Sequence, residues 1–175
     1  KPSAQRPLDE VRGEVEAAMV KFFEERVFGA AGERVLVEEF LSGTEVSFMV
    51  LTDGATVLPL AAARDYKRLQ DGDNGPNTGG MGAVSPATLP QGLGTAMLRD
   101  IIYPAVNGLA AEGRVFRGVL YAGVMMTADG PKLLEFNCRL GDPEAQVILP
   151  RLDGDLLPLL QAVARIELQS QRLAW

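Results

Sequence analysis

The chain has 175 residues, 47% of them hydrophobic and 23% charged, and a formal net charge of −6, enough apolar material for the core of one soluble domain. The negative balance, with no cluster of Lys and Arg, argues against a nucleic-acid partner; no apolar run reaches membrane length, no signal peptide opens the chain, and a single cysteine, Cys138, excludes a disulfide framework and points to a reducing cytoplasm. Histidine is absent, which removes imidazole bases, Ser/His/Asp triads and histidine metal ligands and leaves the chemistry to carboxylates, amides, Lys, Arg and backbone.

From Asp9 to about Arg26, Val11, Val15, Ala18, Met19, Phe22 and Phe23 recur at spacings of three and four, one stripe of an amphipathic helix with Asp9 as its cap and Gly29 just past its end. "RVLVEEF" and "EVSFMVLT" read as strands, and "TDGA" is an Asp-Gly turn into a third, "TVLPLAA". A loop from about Arg64 to Pro86 follows. The spacing then predicts a helix from about Thr95 to Glu112, with Met97, Ile101, Ile102, Val106 and Leu109 on its apolar side. A second hairpin, "GVLYAGVMMT", "ADGP", "KLLEFN", leads to a last helix near Asp155 to Ile166 that carries Leu156, Leu159, Leu160 and Val163, with Pro158 in its first turn. Strands and helices in separate blocks joined by hairpins give an α+β class with a mostly antiparallel sheet and flanking helices.

The loop contains "GDNGPNTGGMGAVSP". A segment of that length inside a compact domain is either functional or disordered. Gly75, Gly79, Gly80 and Gly82 allow positive φ and close approach of N–H groups to a ligand, and Asn77 and Thr78 offer side-chain hydrogen bonds; a plain surface loop is the competing reading. Neither a Walker loop nor a dinucleotide fingerprint is present. Ahead of it, "RDYKRLQDGD" sets Lys67 and Arg68 among Asp65, Asp71 and Asp73, a mixed-charge cluster suited to a substrate with charges of both signs, or simply a solvated turn.

On the last strand Glu135 and Asn137 lie two apart and share a face, Arg139 continues the line, and Phe136 points the other way. A carboxylate and an amide oxygen suit Mg²⁺, which takes one or two protein carboxylates and completes its shell with phosphate and water; a polar solvent face is the alternative. "RLGDPEAQ" extends this surface with further acids. Cys138, alternating away from Asn137, is expected to pack. In "EEFLSGTE" the backbone can meet an adenine edge and Glu45 can accept from ribose hydroxyls.

Together "VEEFLSGTEVSF", "DYKRLQDGDNGPNTGGMGAVSP" and "LLEFNCRLGDPEAQVILP" closely resemble the phosphoribosylamine–glycine ligase family of ATP-grasp enzymes in purine biosynthesis, over about Glu33 to Pro150. The resemblance implies the ATP-grasp fold, ATP with Mg²⁺ or Mn²⁺ as cofactors, and glycine and 5-phosphoribosylamine as substrates joined through glycyl phosphate. It further implies that Glu39 and Leu41 present backbone to adenine, with Glu38 and Phe40 beside them, that Glu45 binds ribose, and that Lys67 contacts phosphate. Glu135 and Asn137 match the family's metal ligands, Arg139 faces the reacting phosphate, and Asp73, Asn77, Thr78, Gly79, Gly80, Met81 and Gly82, with Asp142, correspond to the substrate-contacting part. Tyr66 stands where a histidine is common and Val84 where an aromatic is common. The family's N-terminal domain and second phosphate-binding lysine have no match in "KPSAQRPLDE", so the chain is expected to be the central ATP-grasp portion of a longer, monomeric ligase. On this expectation residues 1–30 form part of a small subdomain, and residues 31–175 bind nucleotide, metal and substrate. The alternatives are a nucleotide-binding fragment without turnover of its own, or another ATP-grasp carboxylate–amine ligase.

Overall fold

The computed structural model describes residues 7–72 and 74–175, and the described chain divides into two compact units between Ser42 and Gly43. In the first, α1 (Leu8–Met19) runs into a wide turn, Val20–Glu24, and a 3₁₀ turn follows at Gly29–Glu33. Pro7, not Asp9, precedes the first helical residue, and Asp9 instead pairs with Arg12 at 3.0 Å. The helical path ends at Arg26, in the left-handed region at φ 50°, earlier than Gly29. Phe22 and Phe28 stack with ring centroids 5.0 Å apart, over the buried Gly32. The expected strand "RVLVEEF" is not one. Residues 34–42 carry no strand, and Leu36 and Val37 are 80% and 87% exposed. β-branched and apolar residues favour a pleated surface only where a neighbouring strand completes the ladder.

The second unit is built on a four-stranded antiparallel sheet of order β2-β1-β7-β8. β1 (Thr44–Thr52) and β2 (Val57–Pro59) form the first hairpin. Its turn is held by Asp53, whose Oδ1 accepts from the N–H groups of Ala55 (3.0 Å) and Thr56 (2.7 Å), as an Asp-Gly turn requires. Asp53 is buried, and its second oxygen accepts from the N–H of Leu168 at 3.0 Å. Burial alone raises its pKa, but these backbone donors outweigh that and hold it below the ordinary value. β7 (Gly118–Thr127) crosses the middle of the sheet and β8 (Gly130–Asn137) borders it, the predicted second hairpin.

Alternation gives this sheet two different faces. Phe48, Val50, Leu120, Ala122 and Val124 cover one with Met97, Ile101, Ile102 and Val106 of the helix block α2 (Leu93–Met97) to α3 (Tyr103–Ala111). Between α2 and α3 the helix widens into a π turn, Leu98–Ile102, where Tyr103 N–H reaches Leu98 O. Pro104 explains it: its ring nitrogen cannot donate one turn back, and a wider turn accommodates the ring. The other face carries Met49, Leu51 and Tyr121 against Ile148, Leu159, Ala162, Val163 and Leu168. These come from α4 (Glu144–Ile148), which the pattern did not predict, from α5 (Leu156–Arg165), capped by Asp155 accepting from Leu157 N–H at 2.9 Å, and, for Leu168, from the 3₁₀ turn Leu168–Ser170 beyond it. Leu160, expected in the core, is 42% exposed.

The loop from Arg64 to Pro86 has structure of its own, contrary to expectation. β3 (Arg64–Asp65) pairs with β6 (Ala83–Val84), and between them β4 (Arg68–Gln70) pairs with β5 (Asn74–Asn77). Two nested antiparallel ribbons thus satisfy backbone that a bare loop would leave to water.

Candidate active site

Beyond the packing of Met49 and Tyr121 against α4 and α5, the second face of the sheet turns polar. Register sets its rows: Ser47, Gly123 and Glu135 lie opposite one another across β1, β7 and β8, and Met49, Tyr121 and Asn137 form the next row. Glu135 and Asn137 share this face, as expected. They reach it through a bulge. From the turn to Val124↔Leu133 the pairing is regular, then Leu134 is extra and Gly123 pairs with Glu135. Unbroken alternation from the turn would have set Glu135 opposite Ala122, on the face under the helices. Phe136, opposite Ala122, points the other way.

Lys67 joins β3 to β4 and lies between two carboxylates, in an ion pair with Glu45 and with its ammonium 3.8 Å from Glu135 Oε1. Burial pulls the Lys67 pKa down, but the hydrogen bond and charge of Glu45, with Glu135 and Asp65 behind it, raise it above the ordinary lysine value. The ammonium therefore stays charged throughout the neutral range. Thr78 ties the glycine-rich segment to this lysine: its N–H and hydroxyl both donate to Lys67 O (2.6 and 2.8 Å), and its Oγ1 accepts from Gly80 N–H at 3.1 Å. Met81 N–H donates to Tyr66 O, and Tyr66 N–H to Gly82 O.

Beneath these lies a network that sequence reasoning missed. Glu144, 2% exposed, accepts from Ser47 Oγ at 2.5 Å, and Ser47 Oγ is 3.1 Å from the hydroxyl of buried Tyr121. With the Ser47 proton given to Glu144, Tyr121 donates to Ser47. Burial, with the charge of Glu144, raises the Tyr121 phenol and outweighs the Ser47 hydrogen bond, so the phenol stays protonated. Asp65 completes the group. Its Oδ1 is buried without a hydrogen-bond partner, and its pKa rises to about 6, first through burial and then through the charge of Glu144, against the opposing pull of Lys67. Gly80, at φ +131°, presses on this carboxylate: a Cβ there would lie 3.0 Å from Asp65 Oδ1 and 2.5 Å from Pro143 Cδ. Only glycine fits that conformation and that gap. Apart from Glu144 in the "RLGDPEAQ" turn and Asp65 in the charge cluster, no local signal marks these residues, because burial and cross-strand partnership decide their roles.

The remaining expected residues are placed as follows. Arg139 does not continue the strand line. β8 stops at Asn137, and Arg139 sits in a bend with Nη1 donating to Leu140 O at 3.0 Å. Cys138, at the same bend, is exposed and does not pack. Asp142 is exposed and accepts from Gln146 at 2.9 Å. Asn77 ends β5, exposed, and Gly79 is exposed beside Gly80. Asp73 lies outside the described residues. Glu38, Glu39 and Phe40 are exposed and Leu41 half-buried in the first unit. Among the described residues no three acids or thiols converge on one point, so Glu135 and Asn137 make a two-oxygen set.

The four-stranded antiparallel sheet flanked by helices, one face of it partly polar and crossed by a charged lysine and its carboxylates, has the ATP-grasp fold of its solved structural neighbours. The particular family is shown by similarity: residues 9–145 match the model of the phosphoribosylglycinamide synthetase ATP-grasp (A) domain, and the chain belongs to that family. It is 52% identical over 149 residues to a phosphoribosylamine–glycine ligase of Rhizobium meliloti, covering 85% of this chain and 35% of that protein. It is 50% identical over 159 residues to the trifunctional purine biosynthetic protein adenosine-3 of Gallus gallus, covering 90% of this chain and 16% of that one. The crystal structure of a phosphoribosylamine–glycine ligase from Thermotoga maritima matches with a TM-score of 0.72 at 34% identity, over 86% of this chain and 39% of that one. The chain thus spans about a third or less of the two curated relatives' length.

Proposed function

We propose that this chain is the nucleotide- and metal-binding part of an ATP-dependent ligase that joins glycine to 5-phosphoribosylamine. The observation that carries the reading is the Glu45–Lys67–Glu135 charge group on the sheet's open face, with Asn137 one row on, inside a stretch that matches the family model. In the reaction, a glycine carboxylate oxygen bonds to the γ-phosphorus of ATP as ADP leaves. The amine of phosphoribosylamine then attacks the resulting acyl carbonyl and phosphate departs, leaving the amide of glycinamide ribonucleotide. Such chemistry asks for positioning and charge neutralisation more than for a strong base.

The residues divide accordingly. Lys67, kept charged by Glu45, supplies a positive group for phosphate, and Glu45, on the strand leading from the first unit, accepts from ribose hydroxyls. Glu38, Glu39, Phe40 and Leu41 frame adenine, partly through backbone. The carboxylate of Glu135 and the amide oxygen of Asn137 fit Mg²⁺ or Mn²⁺ as hard oxygen donors; a divalent ion held there neutralises the phosphate oxygens. Asn77, Thr78, Gly79, Gly80, Met81 and Gly82, with Asp73 and Asp142, receive the two small substrates, and Arg139, in the bend beyond β8, is the cation for the transferred phosphate. Because Thr78 holds the backbone of Lys67, occupation of this segment and of the phosphate site are mechanically joined. A second reading is that this chain by itself binds Mg-nucleotide without turning over.

Replacing the matching span of the Rhizobium meliloti relative with this chain tests the assignment. Product formation from glycine, phosphoribosylamine and ATP is expected, with ADP release dependent on glycine; ADP release indifferent to glycine refutes the substrate assignment. Calorimetric titration of the chain alone with MgADP is expected to show binding that falls at least tenfold in Lys67→Met, and absence of binding by the parent chain defeats the nucleotide assignment.

A further inference from the structure

Gly123 occupies the middle of the most central stretch of β7, where a glycine weakens a strand and needs a reason. Its φ is not in the left-handed region, so backbone conformation is not that reason. Space is. A Cβ at position 123 would lie 3.1 Å from Glu135 Cγ, 3.6 Å from Tyr121 Cε1 and 3.8 Å from Glu135 Oε1. Nearly all real Cβ contacts are longer than the first of these, so the Glu135 stem leans across the place a side chain would fill. That lean carries Glu135 from the border strand toward β1, until Oε1 stands 3.8 Å from the Lys67 ammonium. On the far side of Gly123 in the same row is Ser47, already committed to Glu144 and Tyr121, so that side offers no alternative shelf for the Glu135 stem.

We propose that Gly123 is a positioning residue for Glu135, keeping open the socket across which the carboxylate reaches the Lys67 site. It touches neither nucleotide nor metal itself. The proposal rests on the metal-binding reading of Glu135 given above. The side chain of Glu135 is 52% exposed, so it can move aside when crowded. A methyl at position 123 is therefore expected to displace the carboxylate while the fold survives, and a Val to displace it further.

The test uses this chain with ADP and Mn²⁺, following free Mn²⁺ by electron paramagnetic resonance, beside thermal unfolding. Gly123→Ala is expected to weaken Mn²⁺ binding about fivefold, less than the roughly 10–100-fold typical of losing a partner that orients a metal ligand because a methyl crowds the carboxylate without removing it, and Gly123→Val more than about tenfold, with ADP affinity in chelator unchanged. In a Glu135→Ala background, Gly123→Ala is expected to have no further effect on Mn²⁺. Its effect on the unfolding midpoint should also turn more favourable there, because the stem it collides with is gone. Equal Mn²⁺ affinity in Gly123→Ala and the parent, with Glu135→Ala impaired, overturns the role of Gly123 and leaves the metal reading standing. Loss of Mn²⁺ in Gly123→Ala that is the same in both backgrounds also overturns it, as a general structural effect. Unimpaired Mn²⁺ binding by Glu135→Ala alone removes the metal reading itself. Should Gly123→Val fail to fold, the alanine cycle and its unfolding midpoints still decide the matter.

Discussion

Asp65→Asn reports the cost of burying an ionised carboxylate, with the charge of Glu144 adding to it. In the folded chain the Asp65 carboxyl binds its proton up to about pH 6, whereas in the unfolded chain it releases it near 3.8. Between those values the native state holds more protons than the unfolded one, so stability falls as pH rises through the window and stays level above it. At about 1.4 kcal/mol per pKa unit the gap has a ceiling of about 3 kcal/mol, and partial solvent access to the side chain reduces it to about 1–2 kcal/mol. Asparagine has no charge to lose and its amide can donate toward Glu144. Urea unfolding of both proteins at half-unit steps from pH 4 to pH 8 is expected to show the variant gaining relative stability up to about pH 6 and then holding a constant advantage. Parallel profiles across the whole range would refute the reasoning, because they would mean that Asp65 titrates normally.

Asp53→Ala takes the acceptor from the N–H groups of Ala55, Thr56 and Leu168 and is expected to cost about 3 kcal/mol in chemical denaturation. Because the folded pKa is lowered, that contribution is present above about pH 4 and fades as pH falls through the folded value; a pH-independent loss would contradict it. Ser47→Ala deprives buried Glu144 of its donor and Tyr121 of its acceptor, for an expected loss of about 2–3 kcal/mol at neutral pH; a change under 0.5 kcal/mol, judged against ordinary surface substitutions, would show that the network is dispensable. Ile166, about half exposed at φ 62° after α5, sits where glycine is at ease. Ile166→Gly is expected to raise stability by about 0.5–1 kcal/mol in the same assay, and a decrease would mean that its apolar contacts outweigh the backbone strain.

How much was legible follows from how local each signal is. Both hairpins could be read from their Asp-Gly turns, and Glu135 and Asn137 from their spacing of two, since turn chemistry and alternation act within a few residues. The bulge at Leu134 was invisible, yet it leaves the interval from Glu135 to Asn137 untouched, which is why their common face was still found. Glu144, Ser47, Tyr121 and Asp65 escaped because their roles arise between residues 74 to 97 positions apart or from burial alone. "RVLVEEF" misled for the opposite reason: strand-forming residues are necessary for a strand, but a ladder needs a neighbour. Pro104 left the helix in place and changed only its pitch, a compromise that apolar spacing does not register.

The sheet face that holds Glu135, beside Lys67, continues with no intervening layer into the packing of Met49 and Tyr121 against α4 and α5. Anyone seeking a hardier version of this protein should therefore put new methyl groups on the opposite side, under α2 and α3. Repacking around Tyr121 would be transmitted through its hydroxyl to Ser47 and Glu144, and a gain in core packing there would come at the expense of those buried hydrogen bonds.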